Sequence, residues 1–242
     1  MSRPGFYEKW FYSGLAREPR FEKVLAIARE KHGQHLLDIG CGDGSFTVLL
    51  KDALQAAEAT GIDISQEAVA SAAEHGINAQ VMDVDEAALP FADSCFDVIY
   101  CGEVIEHVFD TDHLLGEMRR VLKPSGYGII TTPNLSSWAN RLALLFGYQP
   151  FASSVSPWHE GAGKLMMRGD EGQWGHIRVF TCRALKELVQ INGFEIERLE
   201  GCRVTAKTAR FLTLNNIANS LDGGFSRVAA LSSRIVLVVK KS

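Results

Sequence analysis

The chain has 242 residues, 46% hydrophobic and 9% aromatic, which suits one ordinary core with a large insertion better than two domains. A net charge of −4 argues against a dedicated nucleic-acid surface, which usually carries a basic stripe. The N-terminus lacks an apolar leader and no run reaches membrane-span length, while five cysteines (41, 95, 101, 182, 202) form no CxxC pair, so a cytoplasmic protein with reduced thiols is expected.

In chain order, residues 1–30 read as helices, with Phe6, Tyr7, Trp10 and Phe11 and then Phe21, Val24, Leu25 and Ala28 at helical spacing. Leu36-Leu37-Asp38-Ile39 is a short buried strand that stops at Gly40, Gly42 and Gly44, and a helix over 44–54 follows. Glycines there supply positive φ and let a ligand approach bare amides. A second strand, 59–63, ends in Asp63, at roughly the spacing that puts a carboxylate on ribose hydroxyls. Helix 66–75, strand 79–82, strand 96–101, helix 111–122 and strand 127–132 continue the alternation. Helix 181–192 with Thr181 as its cap, strand 194–199 and an apolar last strand at 234–240 complete it. Such alternation means parallel pairing with right-handed crossovers, an α/β Rossmann-like fold.

The glycine loop suits two cofactor types. A dinucleotide site wants Gly-x-Gly-x-x-Gly, whereas this loop reads Gly-x-Gly-x-Gly and is led by the acid Asp38. S-adenosylmethionine carries a sulfonium and an ammonium, which acids suit. Further marks follow in order: Gln80–Val84 with Asp83, Leu89–Asp93, Phe96–Cys101 before Gly102, and Val121–Gly126 before strand Ile129–Thr132. Together they resemble the motifs of class I S-adenosylmethionine-dependent methyltransferases, densely over about 34–134 and again around 174–200. The resemblance implies a seven-stranded, mostly parallel sheet whose last strand inserts antiparallel between strands five and six, with helices on both faces and a helical or loop cap. It also implies cofactor contacts at Asp38, Gly40, Gly42, Asp63, Ile64, Asp83, Val84 and Gly102, with Asp83 near the adenine amino group.

One domain is therefore expected over 1–242, with 1–30 as a helical cover and two inserts, 135–175 and 205–232. The first holds Trp138, Phe146, Phe151, Trp158 and Trp174, the look of a substrate cap. Membrane-surface docking is its alternative role, because Trp138, Leu142, Leu145 and Phe146 can share one helix face.

Glu103, Glu106 and His107 follow strand four at i, i+3 and i+4, positions that share a face if a helix starts there. His176 lies just before the helix that begins at Thr181. Two acids on a helix N-terminus with nearby histidines would be unremarkable, but two carboxylates and two imidazoles also suit a divalent ion, Mg²⁺, Mn²⁺ or Fe²⁺, with open positions. The pattern is similar to the metal site of small-RNA 3′-terminal 2′-O-methyltransferases, and Glu-Val-Ile-Glu-His-Val resembles ubiquinone-biosynthesis O-methyltransferases. That resemblance implies Glu103, Glu106, His107 and His176 as metal ligands. Without metal, His107 or His176 is the candidate general base. His32, His35, His75 and His113 read as solvated, and His159 is a weaker candidate for the substrate site.

The expected activity is O-methylation of a small-molecule hydroxyl on a sugar, glycan or lipid precursor, phenol or natural product. The alternatives are methylation of an RNA end, a silent adenosylmethionine-binding protein, and a nicotinamide oxidoreductase, the last disfavoured by the glycine spacing and Asp38.

Overall fold

The computed structural model describes residues 18–156, 158–159, 161–165, 175–203 and 220–242. The aromatic stripe Phe6–Phe11, Trp174 and most of the second insert lie outside the described residues.

Seven strands form one sheet in the order β3-β2-β1-β4-β5-β7-β6. They are β1 (His35–Ile39), β2 (Glu58–Asp63), β3 (Asn78–Val81), β4 (Phe96–Gly102), β5 (Leu122–Pro133), β6 (Phe194–Cys202) and β7 (Arg234–Lys241). β7 runs antiparallel to both β5 and β6, and the other pairings are parallel, as the family resemblance implies. Its run Ile235–Val239 is fully buried, as a strand flanked on both sides must be.

Side-chain alternation splits the core into two faces. Leu37 and Ile39 of β1 point toward α4 (Thr111–Val121) and α6 (Cys182–Ile191), where Leu114, Leu115, Met118, Leu185 and Val189 are buried. Leu36 points the other way, into α1 (Pro19–Arg29), α2 (Ser45–Leu54) and α3 (Gln66–Glu74), with Val24, Ile27, Phe46, Leu50 and Ala72. α5 (Trp138–Leu145) lies in the first insert. Four of the helix starts carry side-chain caps: Ser65 accepts from the Ala68 amide, Asp110 from His113, Ser137 from Asn140 and Thr181 from Ala184. A cap of this kind contributes about 1 kcal/mol.

One expected element is different. After Gly102 the chain does not begin an α-helix: Glu103 takes a left-handed φ of 57°, and a single 3₁₀ turn spans Ile105–His107. The i, i+3, i+4 face expected for Glu103, Glu106 and His107 therefore does not form. Glu103 is spent instead on Arg234 and Thr131.

Candidate active site

The carboxyl ends of β1, β2, β4 and β5 meet at one edge of the sheet, where open α/β folds bind ligands. β1 brings Asp38 to this edge on the same face as Leu36, 1% exposed and against α2. Its Oδ2 accepts from the Thr47 hydroxyl at 2.6 Å, and its Oδ1 is buried with no hydrogen-bond partner among the described residues. Burial pushes this carboxyl up to about 7, opposed by the Thr47 hydroxyl and reinforced by Asp63. A cation placed against Oδ1 would offset that desolvation.

The glycine loop bends through positive φ at Gly40 (77°), Gly42 (53°) and Gly44 (76°). A Cβ added at Gly42 would meet nothing within 4 Å, so the space above the loop is open, as a cradle requires. Asp63 buttresses the loop: Oδ2 accepts the Gly42 amide and Oδ1 the Ser65 amide, both at 2.9 Å. Burial raises the Asp63 carboxyl, and those amides partly counter it. His75, expected to be merely solvated, lies 2.9 Å through Nδ1 from the Asp43 carbonyl of the same loop. Ile64 is half-buried beside Asp63, Asp83 accepts the Asp85 amide at 3.0 Å, Val84 packs against the core, and Gly102 ends β4. Every residue expected at the cofactor thus lies along the carboxyl ends of β1 to β4.

On the acceptor side the structure separates the four expected ligands. Glu103 Oε2 pairs with Arg234 Nε at 3.0 Å, and Oε1 accepts from the Thr131 hydroxyl at 3.0 Å, with Arg20 Nη1 at 3.7 Å. Glu18 joins the same group, 2.6 Å from Arg234 and 2.8 Å from Arg20. Burial alone would raise the Glu103 carboxyl, but Arg234 and then Arg20 and Thr131 overcome it and hold it below the usual range. The cation expected between two neighbouring acids is therefore supplied to Glu103 by arginine.

Glu106, His107 and His176 do come together, with one ligand atom of each within 4.8 Å of the others. Glu106 is 1% exposed. Its Oε2 accepts from the Thr132 hydroxyl at 3.0 Å, while Oε1 has no hydrogen-bond partner among the described residues and lies 4.0 Å from His176 Nε2. Burial, then the nearby Glu103, push its carboxyl well above the ordinary range. His176 Nδ1 lies 2.9 Å from the Ala152 carbonyl, and its ring centroid is 4.9 Å from that of His107. A carbonyl only accepts, so this contact puts the hydrogen on Nδ1, and Nε2 is the nitrogen on the Glu106 side of the ring. The backbone locks the pair together, because the Glu106 carbonyl accepts the amides of both Ile177 (2.9 Å) and Arg178 (3.0 Å). His159 is exposed in the cap, with its amide on Ser156 Oγ.

With this geometry in place, known proteins can be set beside it. A family model described as a methyltransferase domain matches residues 37–130. A ubiquinone biosynthesis O-methyltransferase from Methylococcus capsulatus is 33% identical over 205 residues, which cover 82% of this chain and 78% of that protein. This chain is a class I S-adenosylmethionine-dependent methyltransferase. Other relatives align over less: a ubiquinone/menaquinone biosynthesis C-methyltransferase from Desulfotalea psychrophila is 35% identical over 126 residues, 49% of this chain and 50% of that one. A solved S-adenosylmethionine-dependent methyltransferase from Thermotoga maritima shares the fold, with a TM-score of 0.61 at 16% identity over 99% of both chains. Adenosylmethionine is the methyl donor of this family. The buried Asp38 oxygen, the open cradle over Gly42 and the acid at the end of β2 fit its cationic, ribose-bearing shape.

Several residues of the methyltransferase site were not anticipated. Thr131 and Thr132 could have been, since a polar pair closing an otherwise apolar strand at the carboxyl edge is a visible signal. Arg20, Arg234 and the Ala152 carbonyl carry no pattern of their own. Asp85 is similar: its carboxylate accepts the amides of Phe109 and Asp110 at 2.9 Å, tying the loop after β3 to the one that carries His107.

Proposed function

We propose that this methyltransferase O-methylates a small-molecule hydroxyl, with His176 as the proton acceptor. The observation that carries the reading is the orientation of His176, whose Nδ1–H is engaged by the Ala152 carbonyl while Nε2 faces the Glu106 pocket. On the cofactor side, Asp38, Gly40, Gly42 and Gly102 would hold the methionine end, Asp63 and Ile64 the ribose, and Asp83 and Val84 the adenine. Bound adenosylmethionine supplies an electrophilic methyl on a sulfonium. The chain's own part is to hold the acceptor oxygen in line with that methyl and to take the hydroxyl proton onto His176 Nε2 as the carbon–oxygen bond forms. The imidazolium so formed would favour ionisation of the neighbouring Glu106, whose carboxyl burial and Glu103 otherwise raise. The O-methyltransferase named above favours oxygen as the acceptor atom, and the C-methyltransferase marks the competing outcome. Phenols, sugars, glycan or lipid precursors and natural-product hydroxyls are the acceptor classes. The net charge of −4 weighs against an RNA end.

A second reading places a divalent ion on Glu106, His107 and His176, and their mutual approach within 4.8 Å favours it. Such an ion would lower the pKa of an acceptor hydroxyl. With Glu103 committed to arginine, the donor set becomes two imidazoles and one carboxylate, which shifts the preference from Mg²⁺ toward Mn²⁺.

One experiment separates the two. His176→Gln is expected to lower kcat by roughly a hundredfold or more while adenosylmethionine binding is kept. Labelled methyl transfer to pooled metabolite hydroxyls should persist in excess chelator if His176 is the base. Loss in chelator with recovery on Mn²⁺ would move the assignment to the metal. Full activity of His176→Gln with and without chelator would remove both.

A further inference from the structure

Two buried polar atoms without partners share one face of the sheet, at the edge where the methionine end of the cofactor would lie. Asp38 of β1 and Tyr100 of β4 are opposite one another in register, so both side chains leave the sheet on the same side. One of the two atoms is Asp38 Oδ1. The other is the Tyr100 hydroxyl: the residue is 4% exposed, and its oxygen has no hydrogen-bond partner among the described residues. The ring is fixed against Phe46, 5.3 Å between centroids, and the hydroxyl reaches forward over Gly102, where an added Cβ would collide with it. Thr131 lies close to that oxygen but directs its own hydrogen to Glu103 Oε1 at 3.0 Å. Burial pushes the phenol above its ordinary range, with Arg20 opposing and Asp38 reinforcing the effect, so the hydroxyl keeps its hydrogen. A buried phenol normally finds a partner, and one without destabilises the fold.

We propose that Tyr100 is a further cofactor-binding residue, its hydroxyl donating to the α-carboxylate of adenosylmethionine while Asp38 Oδ1 takes the α-ammonium. The inference deepens the placement of the methionine end over Asp38 and Gly102 and rests on it; it is independent of the role of His176. An amino acid carries an anion and a cation on a single carbon. A free donor beside a free acceptor on adjacent strands is the complement of that pair. The sense of the pairing follows from what each group can do. An ionised Asp38 only accepts, which suits the ammonium and repels a second carboxylate. The phenol has a hydrogen to give, and Arg20, the cation whose charge acts on it, favours an anion there. Phenylalanine would pack against Phe46 as well and spare the buried hydroxyl, so what the oxygen contributes lies outside the fold.

Calorimetry of the full chain with adenosylmethionine, and with its decarboxylated analogue that keeps the ammonium, tests the assignment. Tyr100→Phe is expected to weaken adenosylmethionine by about tenfold to a hundredfold, the loss of one hydrogen bond to a charged group. The analogue should bind parent and variant alike, to within about twofold, because it lacks the group that the hydroxyl meets. Tm of the unliganded variant should equal or exceed that of the parent, since a buried hydroxyl without a partner is removed. Parental affinity for adenosylmethionine in Tyr100→Phe, or an equal loss for both ligands, overturns the proposal. A lower unliganded Tm with affinity kept also overturns it and gives the hydroxyl to Thr131. Asp38→Asn separates this from an error in placing the methionine end. Weaker adenosylmethionine in Asp38→Asn with no effect in Tyr100→Phe removes Tyr100 alone, whereas parental affinity in both moves the methionine end away from β1 and β4.

Discussion

The cofactor side and the acceptor side of this site both bury acids, but they treat the charge differently. What restrains Asp38 and Asp63 is a threonine hydroxyl and backbone amides, and burial still leaves both carboxyls raised. Glu103, just past the end of the neighbouring strand β4, faces two guanidiniums and is held low. The first pair is left short of positive charge, the kind of charge that a sulfonium and an ammonium bring. The second region is neutralised from within, so that Glu106 and the histidines stand beside a balanced cluster and can pass a proton.

Removing the internal cation is the largest test of that contrast. Arg234 is 13% exposed and bridges Glu103 and Glu18, so Arg234→Met leaves two acids to share Arg20 alone. Breaking a buried pair in this way costs about 3–5 kcal/mol. In a chain of this size that lowers Tm by roughly 10 °C. Pairing it with Glu103→Gln should return part of the loss. A single variant as stable as the parent by thermal unfolding would mean the cluster is solvated, and the contrast would fail.

The contrast also explains what could be read from the sequence. The cofactor half is local: Asp38, the three glycines and Asp63 lie within one β-α-β passage, and each sits at a position that strand period and turn chemistry define. The parallel pairing follows from the same alternation, whereas the place of β7 between β5 and β6 is what the family resemblance implies. The acceptor half is assembled from Glu18, Arg20, Glu103, Thr131, Ala152, His176 and Arg234, whose nearness depends on β7 inserting beside β5 and opposing Arg234 to Pro133. No short-range pattern encodes that. The expected fourfold metal set counted Glu103 because i, i+3, i+4 spacing presumes a helix, and the left-handed turn at Glu103 removes the premise. Trp138 is a similar case. The membrane alternative puts it on one face with Leu142, Leu145 and Phe146, yet its Nε1 donates to Asp222 at 3.0 Å and its ring packs 5.6 Å from Phe225.

A smaller effect is expected on the cofactor side. Asp63→Ala removes the acceptor for the Gly42 amide together with the carboxylate proposed to meet the ribose, each charge-assisted bond contributing about 1.5–3 kcal/mol. Adenosylmethionine affinity by calorimetry should fall at least about tenfold, with the fold kept. Unchanged affinity would detach Asp63 from the cofactor.

Smaller again is a proton count. Asp38 titrates near 7 when folded, against about 3.9 in an unfolded chain. The folded state therefore holds the extra proton between those values, and this contribution to stability, complete below about 4, is lost as pH rises through about 7. A cationic ligand favours the ionised form, so binding below pH 7 should release a proton, and affinity should rise with pH until it levels off near 7. Calorimetry in buffers of differing ionisation enthalpy measures the release. Asp38→Asn should abolish it; a release that survives in that variant would assign the proton elsewhere.

The smallest effect on stability, and the sharpest on the role of the cap, belongs to its outer face. Leu145 is 74% exposed and Phe146 70%, with Leu142 and Leu144 also exposed beside them. Among the described residues no helix is long and apolar enough to cross a membrane, so any bilayer contact by a helix of this region would be peripheral. An exposed leucine contributes little to the fold, and Leu145→Glu should change stability by no more than about 0.5 kcal/mol. If the face closes over an apolar acceptor, the variant raises the KM for that acceptor, leaves adenosylmethionine binding alone, and the parent stays with the soluble fraction when mixed with anionic vesicles. That is the expected result, because the buried Asn134–Asn140 pair beneath α5 anchors the insert toward the active site and spends its ordered structure on placing Ala152. Flotation of the parent with vesicles, lost in Leu145→Glu at unchanged acceptor KM, would make the same leucines a membrane contact and leave the cap to its inner face alone.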